Sequence, residues 1–127
     1  MTRLTLFLNH SPFTHDSHYQ AMHYIRKLAD NQQVERVFFY QDAVLAGLKH
    51  QQPVQGQSSI AADWQALALE YQFPLQLCIA NSLRRGLFNE EEARRYNSQA
   101  NLADGFELTG LGEMAEAVAS SDQIVQF

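Results

Sequence analysis

Pro74-Leu75-Gln76-Leu77-Cys78-Ile79-Ala80-Asn81-Ser82-Leu83-Arg84-Arg85-Gly86 contains the change of period on which the fold turns. Up to Ile79 the side chains alternate as on a strand, with Leu75, Leu77 and Ile79 on one face and Gln76 with Cys78 on the other. Asn81 or Ser82 then has the chemistry of a helix N-cap, and Gly86 suits the closing position of a short helical turn. A strand that leads directly into a helix is the unit from which parallel sheets are made.

The same change of period recurs on both sides. Arg3 to Asn9 reads as a first strand ended by Pro12, and Val34 to Tyr40 as a second, rich in β-formers. Phe106 to Leu108 and Gln123 to Phe127 read as a fourth and a fifth. Between them, Ser17-His18-Tyr19-Gln20 has the spacing of a capping box, and Ala21, Ile25, Leu28 and Ala29 continue a helix to Asp30. Ala43 to Leu48 suits a short helix closed at or just after Gly47. Ser58 or Ser59 can cap a helix whose apolar stripe is Trp64, Leu67, Ala68 and Tyr71. Asn89 precedes three acids, Glu90 to Glu92, with Arg94 and Arg95 after them, the charge order that a helix dipole favours. Gly110-Leu111-Gly112 is a turn into a small-residue helix, Met114 to Ala119. Lys49 to Ser59 is Gln-rich, holds Pro53 and Gly56, and reads as an exposed loop.

Strands separated by helices imply right-handed crossovers and a mostly parallel five-stranded sheet with helices on both faces. The expected fold is therefore a single α/β domain of flavodoxin or Rossmann type over residues 1–127. Such sheets bind at the carboxyl ends of their strands, which directs attention to the loops after Leu8, Tyr40 and Ile79.

Composition narrows the function. Nine Lys+Arg against fourteen Asp+Glu give a net charge of −5, which argues against a broad phosphate-binding face and hence against direct nucleic-acid contact. The longest apolar run is four residues, far below the roughly 20 of a membrane span. One cysteine forms neither an internal disulfide nor a cysteine-based zinc site, and the chain is expected to be cytoplasmic.

Cys78 is the strongest chemical candidate. It ends a strand ahead of a helix start, with Ser82, Arg84 and Arg85 close behind, and helix N-termini with nearby cations favour the nucleophilic thiolate. The alternative is a packed core thiol, since free cysteine is among the most buried residue types. His10, His15, His18 and His23 crowd the first loop and helix, yet no HExxH or carboxylate-spaced pattern supports a metal site, and a solvated helix start explains them. Glu90 to Glu92 read as electrostatic caps, and Gly110-Leu111-Gly112 lacks the third glycine of a dinucleotide fingerprint.

Six segments carry a resemblance: Val37 to Tyr40, Leu77 to Ala80, Leu83 to Gly86, Gly105 to Leu108, Gly110 to Gly112, and the ending Asp122 to Phe127. In order and spacing over essentially the full length, the chain resembles the DsrE-like (TusBCD/DsrEFH) family of sulfur-relay subunits. The first loop departs from the pattern, reading Asn9-His10-Ser11-Pro12 where a Gly-Pro-like turn is expected. The resemblance implies a sulfurtransferase that carries a persulfide on Cys78, with Ser82, Arg84 and Arg85 as supports. It implies no metal or organic cofactor. It further implies a heterohexamer with TusB-like and TusC-like subunits, a TusA-like donor, a TusE-like acceptor, and 2-thiolation of the tRNA wobble uridine. Two other roles use the same frame. The chain could be a structural subunit, with Leu111, Met114, Ala115 and Val118 serving an interface, or a relay for dissimilatory sulfur oxidation.

Overall fold

Five strands, β1 (Thr2–Leu8), β2 (Gln32–Phe39), β3 (Leu75–Cys78), β4 (Phe106–Thr109) and β5 (Gln123–Gln126), form a wholly parallel sheet ordered β4-β3-β2-β1-β5. The structure is a computed structural model describing residues 1–127. Five α-helices accompany the strands: α1 (Ser17–Arg26), α2 (Ile60–Tyr71), α3 (Ile79–Arg84), α4 (Glu90–Arg95) and α5 (Leu111–Ser120). A 3₁₀ turn occupies Gln41–Gly47, where a short helix is expected from the sequence. No helix is long and apolar enough to cross a membrane.

Chain direction decides which face each helix covers. The connections β1 to β2, β2 to β3 and β3 to β4 all step the same way along the sheet, so right-handed crossover places α1 to α4 on one face. The return from β4 to β5 steps backwards, and the same rule sends α5 to the other face. Helices thus lie on both faces, but four to one.

The first face is dry. Leu4, Leu6 and Leu8 of β1, Val37 and Phe39 of β2 and Leu75 and Leu77 of β3 share one cluster with Met22, Ile25, Trp64 and Leu67. Register partners Leu6 with Val37, Leu8 with Phe39 and Phe39 with Leu77 carry this stripe across the sheet. Trp64 meets Phe39 edge-on, with centroids 5.3 Å apart and planes at 90°.

Alternation gives the second face the intervening residues. Phe7 stacks on its register partner Phe38 with centroids 5.9 Å apart, and Gln76 Nε2 donates to Glu107 Oε1 at 2.9 Å. Across this face runs α5, which buries only Ala117, while Leu111 and Val118 stay 58% and 56% exposed.

Helix boundaries are where the structure corrects the sequence reading. The N-cap of α1 is Asp16, which makes Ser17 the first helical residue and dissolves the expected capping box. Gln20 reaches back instead, its Nε2 donating to Asp16 Oδ2 at 3.1 Å. This helix ends at Arg26, four residues before Asp30, because β2 starts early, at Gln32. The N-cap of α3 is Cys78, not Asn81 or Ser82, so the strand passes into the helix without an intervening turn. Other ends agree: Ser59 Oγ accepts from Ala62 N, Asn89 Oδ1 accepts from Glu92 N, and Gly86 closes α3 with φ +73°, a backbone region open to glycine.

Candidate active site

Cys78 ends β3 and caps α3, so its sulfur stands at the carboxyl edge of the sheet beside the free amide groups of a helix start. No backbone amide of α3 bonds the sulfur. The donor is a side chain: Asn81 Nδ2 lies 3.1 Å from Cys78 Sγ, and both residues are buried. The boundary shift explains the contact. With Cys78 as N-cap, Asn81 becomes the third helical residue, and side chains at N-cap and N3 face each other across the first turn.

Burial is the second feature of the site. The sequence leaves the exposure of Cys78 open, and in the structure it is 1% exposed. Its position at the C-terminal end of a strand flanked by β2 and β4, with α3 following at once, encloses the side chain.

The expected supports divide. Arg85 is engaged elsewhere: its Nε donates to Asp42 Oδ1 at 2.8 Å and its Nη1 to the Asn81 carbonyl at 3.0 Å. Its charge is therefore paired with Asp42 of the 3₁₀ turn, and it reaches the thiol only through Asn81. Arg84 is exposed. Ser82 is fully buried, and its Oγ has no hydrogen-bond partner. Thr109, the register partner of Cys78 on β4, likewise holds a buried Oγ1 without a partner. Buried hydroxyls normally find partners, so each of these two is left with unmet hydrogen-bonding capacity.

The first-loop histidines do not converge on a metal. His10 and His15 stack with centroids 4.1 Å apart, and no group of three metal-ligating side chains occurs. His18 is buried: Trp64 Nε1 donates to its Nδ1 at 3.1 Å, and its Nε2 meets the His10 carbonyl at 2.8 Å. An acceptor at Nδ1 and a donor at Nε2 define a neutral imidazole. Burial, with smaller contributions from His10 and His15, lowers its pKa from 6.5 to about 4 although the carbonyl bond opposes this. Glu92, expected as a cap, is buried against Arg95 Nη1 at 3.4 Å. A cavity of about 530 Å³ opens between the first loop and the Lys49-to-Ser59 segment, lined by Phe13, Tyr19, Val54 and Lys49 among others, and Cys78 does not line it.

Sequence reasoning missed the Asn81 contact, the Thr109 hydroxyl and the Asp42 pairing. The first was hidden behind the helix boundary, since an asparagine before a helix looks like a cap.

A lone thiol at the carboxyl edge of a wholly parallel five-stranded sheet defines the class: a parallel α/β domain with one sulfur at the edge where such sheets bind. Comparison with known proteins makes this particular. A model of the DsrE/DsrF-like family matches residues 2–127, and the chain belongs to that family. It is 38% identical over 127 residues to a protein of Vibrio vulnificus (strain CMCP6) named Sulfurtransferase TusD homolog, covering 98% of this chain and 97% of that one. It is 42% identical over 101 residues to Sulfurtransferase TusD of Erwinia tasmaniensis, covering 79% of each. Among solved structures, the ychN protein from E. coli superimposes with a TM-score of 0.77 at 26% identity, over the whole of both chains. The chain is a sulfurtransferase with a sulfur-relay role.

Proposed function

We propose that Cys78 carries the sulfur as a persulfide, accepting it from a TusA-like donor and passing it to a TusE-like acceptor. The observation that carries this reading is positional: the only thiol of the chain stands where parallel α/β sheets do their binding, at the carboxyl end of β3. The route leads to 2-thiolation of the tRNA wobble uridine, in a cytoplasmic heterohexamer with TusB-like and TusC-like subunits. Acidity supports a carrier that hands sulfur to another protein and leaves the tRNA to it, since a net charge of −5 repels phosphate.

In the loading step the Cys78 thiolate attacks the terminal sulfur of the donor persulfide. One S–S bond forms at Cys78 as the donor's S–S bond breaks, and the donor cysteine leaves as a thiolate. Unloading repeats the exchange: the acceptor thiolate attacks the outer sulfur, and Cys78 departs as a thiolate. Each half forms one S–S bond and breaks one, so no oxidant or reductant enters. A single cysteine suits this work, because a neighbouring thiol would discharge the persulfide as a disulfide.

A sulfur that is 1% exposed must be uncovered by the incoming carrier. Once loaded, the side chain is longer by one S–S bond of about 2 Å, which carries the outer sulfur outward. Elements that move for function come from the sparsely packed end of a fold, and on the thinly covered face of the sheet that element is α5, with one buried residue.

Incubation with a persulfidated donor followed by mass spectrometry tests the reading. The wild-type chain gains one sulfur on the peptide holding Cys78, and Cys78→Ser gains none; a serine variant that still accepts sulfur overturns the assignment. The burial of Cys78 favours one other reading, a structural subunit whose partners carry the sulfur. A thiol that stays inert to alkylating reagents and to the donor, alone and in the assembled complex, decides for it.

A further inference from the structure

We propose that Asn81 is a positioning residue for the reactive sulfur: its side-chain amide, held by the Asp42–Arg85 pair, donates to Cys78 Sγ and stabilises the thiolate. The inference rests on the persulfide reading of Cys78 and adds to it the group that prepares the nucleophile.

Three observations converge. Asn81 Nδ2 is 3.1 Å from Cys78 Sγ, and both residues are buried, so solvent does not compete for the bond. A hydrogen bond to the charged form of an acid favours that form, and a buried donor does so more strongly than an exposed one. The backbone of Asn81 is itself fixed. Arg85 Nη1 donates to its carbonyl at 3.0 Å, while Arg85 Nε is anchored on Asp42 Oδ1 at 2.8 Å. This clasp ties the first turn of α3 to the 3₁₀ turn that follows β2 and limits how far the amide can drift from the sulfur.

The chemistry also suits both states of the relay. In the thiolate state the amide N–H faces a full negative charge. When Cys78 leaves as a thiolate during unloading, the same N–H stabilises the departing sulfur, which accelerates release. The residue does not touch the donor or acceptor; it acts through Cys78.

The test uses the full chain, whose single cysteine makes the thiolate ultraviolet absorbance specific to Cys78 once the tyrosine background is subtracted. Two variants separate shape from donation. Asn81→Ala removes the donor, and the pH midpoint of thiolate formation rises by about one unit relative to wild type, equivalent to about ten-fold less thiolate below the midpoint. Asn81→Asp keeps the shape and replaces the donor with an anion, and the midpoint rises further than with alanine. Far-ultraviolet circular dichroism of each variant shows that the fold is kept before the midpoints are compared. A merely structural role would leave the alanine midpoint at the wild-type value, and that result overturns the proposal. Persulfide loading of the same samples is read in parallel. An unmoved alanine midpoint in a chain that loads normally refutes the role of Asn81 alone, whereas a wild-type chain that never loads refutes the relay reading whatever the midpoints do.

Discussion

On the sheet face that carries α1 to α4, strand residues meet helix residues in one apolar cluster from Leu4 to Phe106. On the face crossed by α5, the strands offer Gln76, Glu107 and Thr109 beside Phe7 and Phe38, and the helix above them buries a single alanine. One rule of handedness produces both. Three forward crossovers place four helices on one side, and one backward crossover leaves the other side a single ten-residue helix. The lesson is a division of labour: the many-helix face supplies stability, and the one cysteine alternates onto the face with least packing committed to it.

The largest expected effect tests the stabilising half. Trp64 is fully buried, meets Phe39 edge-on and donates to His18. Trp64→Ala leaves a cavity and an imidazole nitrogen without its donor, and we expect a loss of about 3–5 kcal/mol by denaturant titration. A loss under about 1 kcal/mol would show that the first face is not the stabilising one.

Acid sharpens the same contrast, because His18 sits inside the dry face. Its pKa is about 4 when folded against 6.5 when free, so between these values the unfolded chain holds one more proton than the native one. Stability attributable to His18 is complete above pH 6.5 and is lost as pH falls towards 4, by about 3 kcal/mol in total. Below pH 4 both states are protonated and the contribution stops changing. Denaturation curves across this window should show the slope in wild type and lack it in His18→Gln.

Much of this architecture is legible in the letters. All five strands stand where alternation and β-branched or aromatic residues mark them, because a half-buried strand writes its burial directly into a period of two. The ends of α1 and α3 are not legible. Ser17, Asn81 and Ser82 are good caps in isolation, but a cap is worth only about 1 kcal/mol; at α1 it yields to Asp16 one residue earlier, and at α3 to a strand that runs straight into the helix. That small error had a large consequence at the candidate site. Cys78 was visible as a strand-end thiol, whereas its burial and the Asn81 amide depend on a boundary three residues earlier than the cap residues suggest. Asp42 with Arg85, and Trp64 with His18, are separated by 43 and 46 residues and could not be paired before the sheet order was known.

Gly47 probes how tightly the first face is closed behind the site. A Cβ there would come within 2.6 Å of Leu77 Cδ2 and 3.3 Å of Leu102 Cδ1. Leu77 precedes Cys78 on β3, so Gly47→Ala pushes a side chain of the dry core at the strand that carries the thiol. Overpacking of this kind costs about 1–3 kcal/mol. Thermal or denaturant unfolding measures it, and an unchanged midpoint would mean that Leu77 has room to swing aside.

The smallest effect is expected on α5. Leu111 and Val118 are 58% and 56% exposed, so Leu111→Ser and Val118→Ser remove little buried apolar surface from the isolated chain. Each should change stability by no more than about 0.5 kcal/mol, the range of ordinary surface substitutions. The comparison of the two faces depends on this near-silence as much as on the large effect at Trp64. If either serine costs 2 kcal/mol or more, on the scale of core truncation, α5 packs as firmly as the helices opposite. The thinly covered face would then be no easier to open than the dry one, and access to Cys78 would have to come from the carboxyl edge of the sheet instead.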